Sequence, residues 1–488
     1  MASPGSKKLR ILLIPFFANS HIGPFTDLAV RLAAARPDAV EPTIAVTPAN
    51  VSVVRSALQR HGPAASGVVS IATYPFPEAA GLPPGVENLS TAGAEGWRVD
   101  AAAVNEALTR PAQEALIRGQ SPDVLVSDVH FTWNAFVAED LGMACVTFSV
   151  IGLFSMLAMG LLAEGEANNS DSEMVTVARF QGSEIRIPRP ELPVFSTCQG
   201  NLDGMDLPRM EESQMKSHGY VVNTFLGLEQ PYYEKFASTI FSGRVYLVGP
   251  LCLPQPPVDA DADAGEPSCI SWLDGKPSRS VVYVCFGSFA PVSPEQLDEL
   301  ALGLEASGKA FLWAVRADGG APPAGWEERV GARGALLRGG PPRGAVFAPP
   351  STAAFLTHCG SNSVLEAAAA GVPLLTWPLV CDQLIEERLV TDVLRVGERV
   401  WDGPRSVRHE EKTVVPAAAV ARAVARFLEP GGAGDAARVR AQELAAMAHA
   451  AVAVAEGGSS YRDLRKLIDD LVEARAAAGA GAAAKQPQ

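Results

Sequence analysis

His358, Asn362, Ser363 and Glu366 fall close together in the stretch FLTHCGSNSVLEAAAAGVPLLTWP (355–378), with Asp382 and Gln383 just beyond it. An imidazole, a carboxamide and a hydroxyl can donate hydrogen bonds to phosphate oxygens, and carboxylates can accept them from ribose and sugar hydroxyls. Phe355–Thr357 reads as a strand and His358-Cys359-Gly360 as a tight turn, where glycine supplies the backbone angles. Asn362 or Ser363 is expected to cap a helix over Val364–Ala370, which Gly371 stops. Leu374–Trp377 is the next strand. A helix that starts after such a turn offers N–H groups and the positive end of its dipole to an anion. Glu366, one turn in, is placed to reach a ribose hydroxyl, and Asp382 and Gln383 to hold a sugar. The stretch fits a sugar-nucleotide pocket; it equally fits a βαβ crossover with no ligand.

The elements around it repeat one theme. Arg10–Phe17, Val40–Val46, Val68–Tyr74, Val124–Ser127 and Cys145–Val150 read as strands. Helices are predicted between them over 24–32, 50–58, 101–118 and 132–141, with Pro24 opening the first after a loop that carries His21. A second series follows. Its strands are Ser280–Phe286, Phe311–Val315 and a short one near Leu336–Leu337, before the opening stretch. Ser293-Pro294-Glu295-Gln296 has the form of a capping box. Helices are predicted over 416–428, 435–454 and 459–473. Alternating strands and helices mean parallel sheets covered on both faces. Gly249–Ser268, rich in proline and acids, reads as a linker between two α/β halves. His21, Asp128, Ser288 and His358 all follow predicted strand ends, two in each half. Ligands of such sheets bind beyond the carboxyl ends of the strands, so all four are expected to face one cleft.

The 488-residue chain is 48% hydrophobic and 19% charged, with a net charge of −14. Length and composition indicate a globular protein of two or more domains. The acidic balance argues against nucleic acid or an anionic membrane as partner. Seven cysteines without a CxxC pair indicate a reducing compartment and no zinc site. Ala144–Ala163 is long enough to cross a bilayer, but it divides into a strand and a helix and is read as buried.

These residues resemble the plant family 1 UDP-dependent glycosyltransferases. The family's signature box runs from a Trp to a Gln or His, and here it runs at the same length from Gly340 to Gln383. THCG, NS, LE, GVP, WP and DQ stand in place within it. FGS (286–288), WLDGKP (272–277), GLEASGKAFLWAVR (303–316), NTF (223–225) and EGGSSYRDL (456–464) match outside it. The resemblance implies the GT-B fold, two Rossmann-like α/β domains with parallel sheets facing across a cleft. It implies an acceptor domain over 1–248, a linker over 249–268 and a UDP-sugar domain over 269–455. A C-terminal helix over 456–475 would return to the first domain, and 476–488 would be a disordered tail. The implied reaction is inverting, metal-free transfer of a sugar, glucose by the Gln at 383, from a UDP-sugar to a small lipophilic acceptor. The UDP-sugar is a co-substrate and no cofactor or metal is expected; the enzyme would be a cytoplasmic monomer without a membrane span. His21 would be the general base and Asp128 its orienting partner. Ser288, Pro341, Arg343, His358, Ser361, Asn362 and Ser363 would hold the nucleotide and its phosphates. Glu366 would bind ribose, and Asp382 and Gln383 the sugar. The other histidines (61, 130, 218, 409, 449) are expected at the surface.

The match breaks at four box positions. Gly340 stands for the Trp that stacks on uracil, Arg343 for a Gln, Pro349 for a His and Ser361 for a Trp. A base stack is worth about 1–3 kcal/mol, which an Arg343 guanidinium can replace by stacking or by reaching a phosphate. Val150 stands where the family often has Thr. A second expectation therefore stays open: a catalytically impaired relative that binds a small lipophile or a partner protein without turnover. A dehydrogenase would need GxGxxG after the first strand, where this chain has FANSHIG.

Overall fold

The computed structural model describes residues 7–77, 81–163, 173–180, 183–193, 207–253, 269–289, 292–316, 322–338 and 343–484. Two compact units account for the chain. One comprises 1–153, 200–256 and 450–488, the other 154–199 and 257–449.

The first unit is built on a parallel sheet. Its strands are β1 (Leu9–Ile14), β2 (Val40–Val46), β3 (Ser70–Thr73), β4 (Val124–Asp128) and β5 (Ala144–Ser149), with Gly219–Val222 and Val245–Leu247 at one edge. Its order is β3-β2-β1-β4-β5, then the two edge strands. Strand residues alternate between two apolar layers. Leu9, Ile11 and Leu13 enter one, while Leu12 and Ile14 enter the other. This is the period of two that a sheet covered on both faces imposes.

The last helix, Ser459–Ala484, closes the first of these layers with Leu464, Leu467, Ile468 and Leu471. Polar contacts fix its register. Asp463 accepts from the Leu247 amide at 2.8 Å, and the Tyr246 hydroxyl donates to Asp470 at 2.5 Å. The helix continues to Ala484, well past the Glu473 at which the sequence pattern ends it. Alanine is the best helix former, so the alanine-rich tail extends the helix once packing has nucleated it. Only 485–488 of the expected tail lie outside the described residues.

The second unit repeats the plan with a six-stranded parallel sheet and adds a small antiparallel pair, β6 (Met174–Phe180) and β7 (Ser183–Pro188). With β8 and β9 the two edge strands of the first unit, the six are β10 (Val281–Cys285), β11 (Ala310–Val315), β12 (Gly334–Arg338), β13 (Thr352–Thr357), β14 (Leu374–Thr376) and β15 (Gly397–Arg399). The parallel sheet runs β12-β11-β10-β13-β14-β15. Val282, Val284, Leu300 and Leu304 pack on one face, and Tyr283, Phe347 and Phe355 stack on the other.

Residues 154–199 group with this unit and not with the N-terminal domain, where the linker at 249 would place them. Buried polar contacts give the reason. Ser155 donates to Glu386 at 2.6 Å, and Glu191 pairs with Arg388 at 2.7 Å and Arg405 at 3.0 Å. Such ties carry no periodic signal in the sequence. Most of the expected linker, 254–268, lies outside the described residues. Ala144–Ala163 divides into β5 and the helix Leu153–Ala163, and no helix among the described residues is long and apolar enough to cross a membrane.

Several local expectations shift. The helix predicted over 101–118 is two helices, Gly96–Val104 and Glu106–Gln120, because Asn105 adopts extended angles and caps the second by accepting from the Leu108 amide. The capping box at Ser293 forms by half. Ser293 accepts from the Gln296 amide, but the Gln296 side chain clamps the Val415 backbone, at 2.7 and 3.0 Å.

Leu467 is fully buried under the C-terminal helix. Leu467→Ala is expected to destabilise the first unit by about 2–5 kcal/mol, read as a lower urea midpoint of the transition that unfolds it. An unchanged midpoint would show that the helix is not part of that core.

Candidate active site

Both sheets reverse their winding at one place. In the first unit the chain moves outward from β1 to β2 and β3, then returns to the other side of β1 with β4. In the second it does the same around β10 and β13. Such switch points leave a crevice at the carboxyl ends of the two central strands, because the loops there diverge. The residues singled out by type sit at these two points. His21 follows β1 and Asp128 ends β4. Ser288 follows β10 and His358 follows β13.

In the first unit the β1 loop is shorter than the sequence suggests. The helix runs from Asn19 to Ala35, so His21 lies in its first turn and Pro24 is inside it. The amides of His21 and Ile22 both bond the Ala18 carbonyl at 2.9 Å, which starts the helix before the proline. His21 Nδ1 lies 2.8 Å from Asp128 Oδ2. A carboxylate only accepts, so Nδ1 carries the proton and Nε2 is the basic atom. Asp128 is buried, and Oδ2 also accepts from the Phe16 amide at 3.1 Å. Burial alone would push this carboxyl up; the two imidazoles beside it outweigh burial and hold it well below the usual carboxylate range.

The second imidazole is His130, expected at the surface. It is half-buried, with Nδ1 2.7 Å from Asp128 Oδ1, and its own amide also donates to that oxygen at 3.2 Å. The signal in the sequence was its place two residues after the aspartate, on the turn that leaves β4. The Phe16 ring stacks on it at 4.4 Å. His61 and His218 are also half-buried, the former 2.7 Å from Asp27, so neither is a free surface group. Asn88, from the 81–95 loop, donates to Asn19 and Asn50, at 3.0 and 2.6 Å, and ties that loop to the turn bearing His21. Trp133 and Phe148 are fully buried, and Phe148 is the β5 partner of Asp128 in the sheet register.

Donor atoms of His21, Asp128 and His130 lie within 4.8 Å of one another, and they are the one such group among the described residues. Both carboxylate oxygens are already held by N–H donors, so the arrangement is complete as a hydrogen-bonded triad.

In the second unit β13 ends at Thr357, and Cys359 takes a positive φ of 64°. The cysteine is buried and its thiol is pushed well above its ordinary range by burial, so it is packing rather than chemistry. The helix runs Ser361–Ala370 with Gly360 as its N-cap residue. Asn362 and Ser363, expected as caps, are in the first turn. Gly360 fills the cap position because its carbonyl takes the Ser363 and Val364 amides, at 2.8 and 3.1 Å. The His358 ring sits between two glycines. A Cβ on Gly287 would come within 2.6 Å of it, and one on Gly360 within 2.7 Å. The glycines of FGS and of HCG are therefore a cradle for the imidazole.

Glu366 is half-buried on the next turn of that helix. Ser361 Oγ lies 3.5 Å from Asp382 Oδ2, so the residue that replaces the family's Trp faces the acid expected to hold a sugar. Gln383 Oε1 accepts from the amides of Leu379 and Val380, at 2.9 and 3.0 Å. Its carbonyl thus closes the loop after β14, and its NH2 group alone can address a ligand hydroxyl. Arg343 opens the helix Arg343–Phe347. Gly340 and Pro341, the start of the box, lie outside the described residues.

An imidazole held by a buried carboxylate at one switch point, and a cradled imidazole beside a helix start at the other, fit the sugar-nucleotide chemistry that the resemblance implies. Comparison with known proteins agrees. A model of the UDP-glucoronosyl and UDP-glucosyl transferase family matches residues 245–395. UDP-glycosyltransferase 73E1 of Stevia rebaudiana is 34% identical over 95% of this chain and 97% of that protein. The scopoletin glucosyltransferase of Nicotiana tabacum is 33% identical over 95% and 98%. Among solved structures, Glycyrrhiza uralensis UGT73P12, complexed with glycyrrhetinic acid 3-O-monoglucuronide, matches with a TM-score of 0.84 at 28% identity, over 98% of this chain and 99% of that one. Phytolacca americana UGT2, complexed with UDP-2fluoro-glucose and pterostilbene, matches at 0.75 and 26% identity, over 95% and 100%. The chain belongs to the UDP-glycosyltransferase family, with the GT-B fold, and is an enzyme that moves a sugar from a UDP-sugar to a small acceptor.

The depressed Asp128 pKa has a sign that can be measured. A carboxylate held below its unfolded value stabilises the fold fully above that value, and loses the contribution as pH falls toward the folded one. The stability advantage of the parent over Asp128→Asn is expected to be full above about pH 5 and to shrink below about pH 4, read by urea unfolding at a series of pH values. A difference that does not change with pH would contradict the assignment. Separately, Gly287→Ala places a Cβ where φ is +72° and the His358 ring is 2.6 Å away. It is expected to destabilise the second unit by about 1–2 kcal/mol from the backbone alone, and a neutral result would remove the cradle.

Proposed function

We propose that the protein transfers glucose from UDP-glucose to a hydroxyl of a small lipophilic acceptor, with inversion and without a metal, as a cytoplasmic enzyme. His21 Nε2 takes the acceptor proton while the acceptor oxygen forms a bond to the anomeric carbon. The bond from that carbon to the UDP oxygen breaks, and the electron pair leaves with UDP. Asp128 holds the imidazole in the tautomer this requires and stabilises the imidazolium that forms. The leaving charge falls to His358, Ser288 and the first turn of the 361–370 helix, with Asn362 and Ser363. Glu366 takes the ribose. Asp382 and the Gln383 NH2 group take sugar hydroxyls. The observation that carries the reading is the 2.8 Å contact between His21 Nδ1 and a buried carboxylate at the end of β4. The contact fixes the proton on Nδ1 and leaves Nε2 as the basic atom, which is the arrangement a general base needs. The glucosyl donor follows from Gln383 in the family's pattern.

His21→Ala is expected to lower kcat by roughly 10²–10⁴-fold, with the UDP dissociation constant from calorimetry unchanged. Equal rates in variant and parent would remove His21 from the role. No heat with millimolar UDP or UDP-glucose, in a folded sample, would instead favour a protein that binds without turnover. A panel of phenolic, flavonoid and terpenoid acceptors with UDP-glucose, read by mass spectrometry, identifies the acceptor.

A further inference from the structure

Asp128 is not the carboxylate of a simple pair. Oδ2 accepts from the Phe16 amide and His21 Nδ1, at 3.1 and 2.8 Å. Oδ1 accepts from the His130 amide and His130 Nδ1, at 3.2 and 2.7 Å. A carboxylate has about four lone-pair sites, and here four donors address them. The group is buried, so a donor removed from Oδ1 is not replaced by bulk water. Rotation of the carboxylate toward or away from His21 would break both bonds on Oδ1. Phe16 ties the pieces together: its amide is on Oδ2, and its ring lies 4.4 Å from His130 and 5.3 Å from His21. The two imidazoles meet edge to face at 5.2 Å.

We propose that His130 is a positioning residue for the proton transfer: it locks the Asp128 carboxylate through Oδ1 and draws part of its negative charge away from His21. The inference rests on His21 being the base. Its role is distinct from that of His21, since it acts through Asp128 and need not touch the acceptor. Two consequences follow from one geometry. Locking the carboxylate raises the fraction of time that His21 Nε2 points correctly, which is a term in kcat. Sharing the charge lowers the pull of Asp128 on the His21 proton. The phenols of Tyr74 and Tyr220 also feel Asp128; burial pushes both up, and they are neutral near pH 7.

The test is the pH dependence of kcat and of kcat/KM for His130→Phe, His130→Asn and His21→Ala beside the parent. Phenylalanine keeps the ring on Phe16 and removes the donor; asparagine keeps a donor nitrogen near the Nδ1 position. In H130F, kcat is expected to fall roughly ten- to a hundredfold, the range for loss of an orienting partner one step out from the reacting group. The KM for the UDP-sugar should hold. The acid limb should move to higher pH by about half a unit or more, since Oδ1 then keeps only the backbone amide at 130 and the carboxylate acts more strongly on His21. H130N should restore the parent's limb and most of kcat. A profile of H130F that superimposes on the parent, or a fall in kcat that H130N does not rescue, overturns the role of His130 while an inactive H21A leaves the base intact. A fully active H21A overturns both. If H130F does not fold, the imidazole N–H proton resonances of the folded parent decide: two low-field Nδ1–H signals lost together in Asp128→Asn support the shared carboxylate, and a single one overturns it.

Discussion

The site depends on a negative charge placed where water cannot reach it. Asp128 ends β4 inside a sheet covered on both faces, and a bare carboxylate there would be costly. Four N–H donors make it tolerable, and all come from two turns, one after β1 and one after β4. The same donors that stabilise the charge orient the imidazole that uses it. Structure and chemistry are therefore hard to separate at this point. The fold supplies a strand end at a switch point, and the strand end supplies a carboxylate with a fixed direction.

The second unit meets a different demand with the same topology. In the proposed reaction it receives charge rather than holds it, and a helix start, an imidazole and small residues stand at that point. The glycines at 287 and 360 leave room for a ring, and Gly287 also holds a positive φ of 72°. The replacement of the family's Trp by Ser361 leaves a hydroxyl facing Asp382. Gln383 is bound to its own loop through its carbonyl, which fixes the direction of its NH2 group before any sugar arrives. Such preorganisation reduces the entropy lost on binding.

Much of this was legible from residue order alone. Strand and helix periodicity located the sheets, and the positions of His21, Asp128, Ser288 and His358 at strand ends located both switch points. What was not legible has physical causes. The helix begins at Asn19 because the Ala18 carbonyl is already in place for two amides, a matter of backbone geometry that Pro24 obscures. The grouping of 154–199 with the second unit depends on Glu191 reaching Arg388 and Arg405, roughly two hundred positions away, as their spans of 197 and 214 residues show. His130 carries no periodicity and no motif. Its importance is visible only once the turn after β4 points its Nδ1 at Oδ1. The tail from Ala476 was misjudged because composition describes the isolated segment, whereas the helix propagates from packed residues upstream.

The central claim is that the buried carboxylate sets the base. The most direct measurement compares kcat/KM of Asp128→Asn with that of the parent, in preparations whose UDP affinity has been matched by calorimetry. Asparagine has nearly the same shape but can present an N–H to the imidazole and carries no charge to stabilise its protonated form. A loss of at least about a hundredfold with UDP binding intact is the expected result. Activity within a few-fold of the parent would contradict the account.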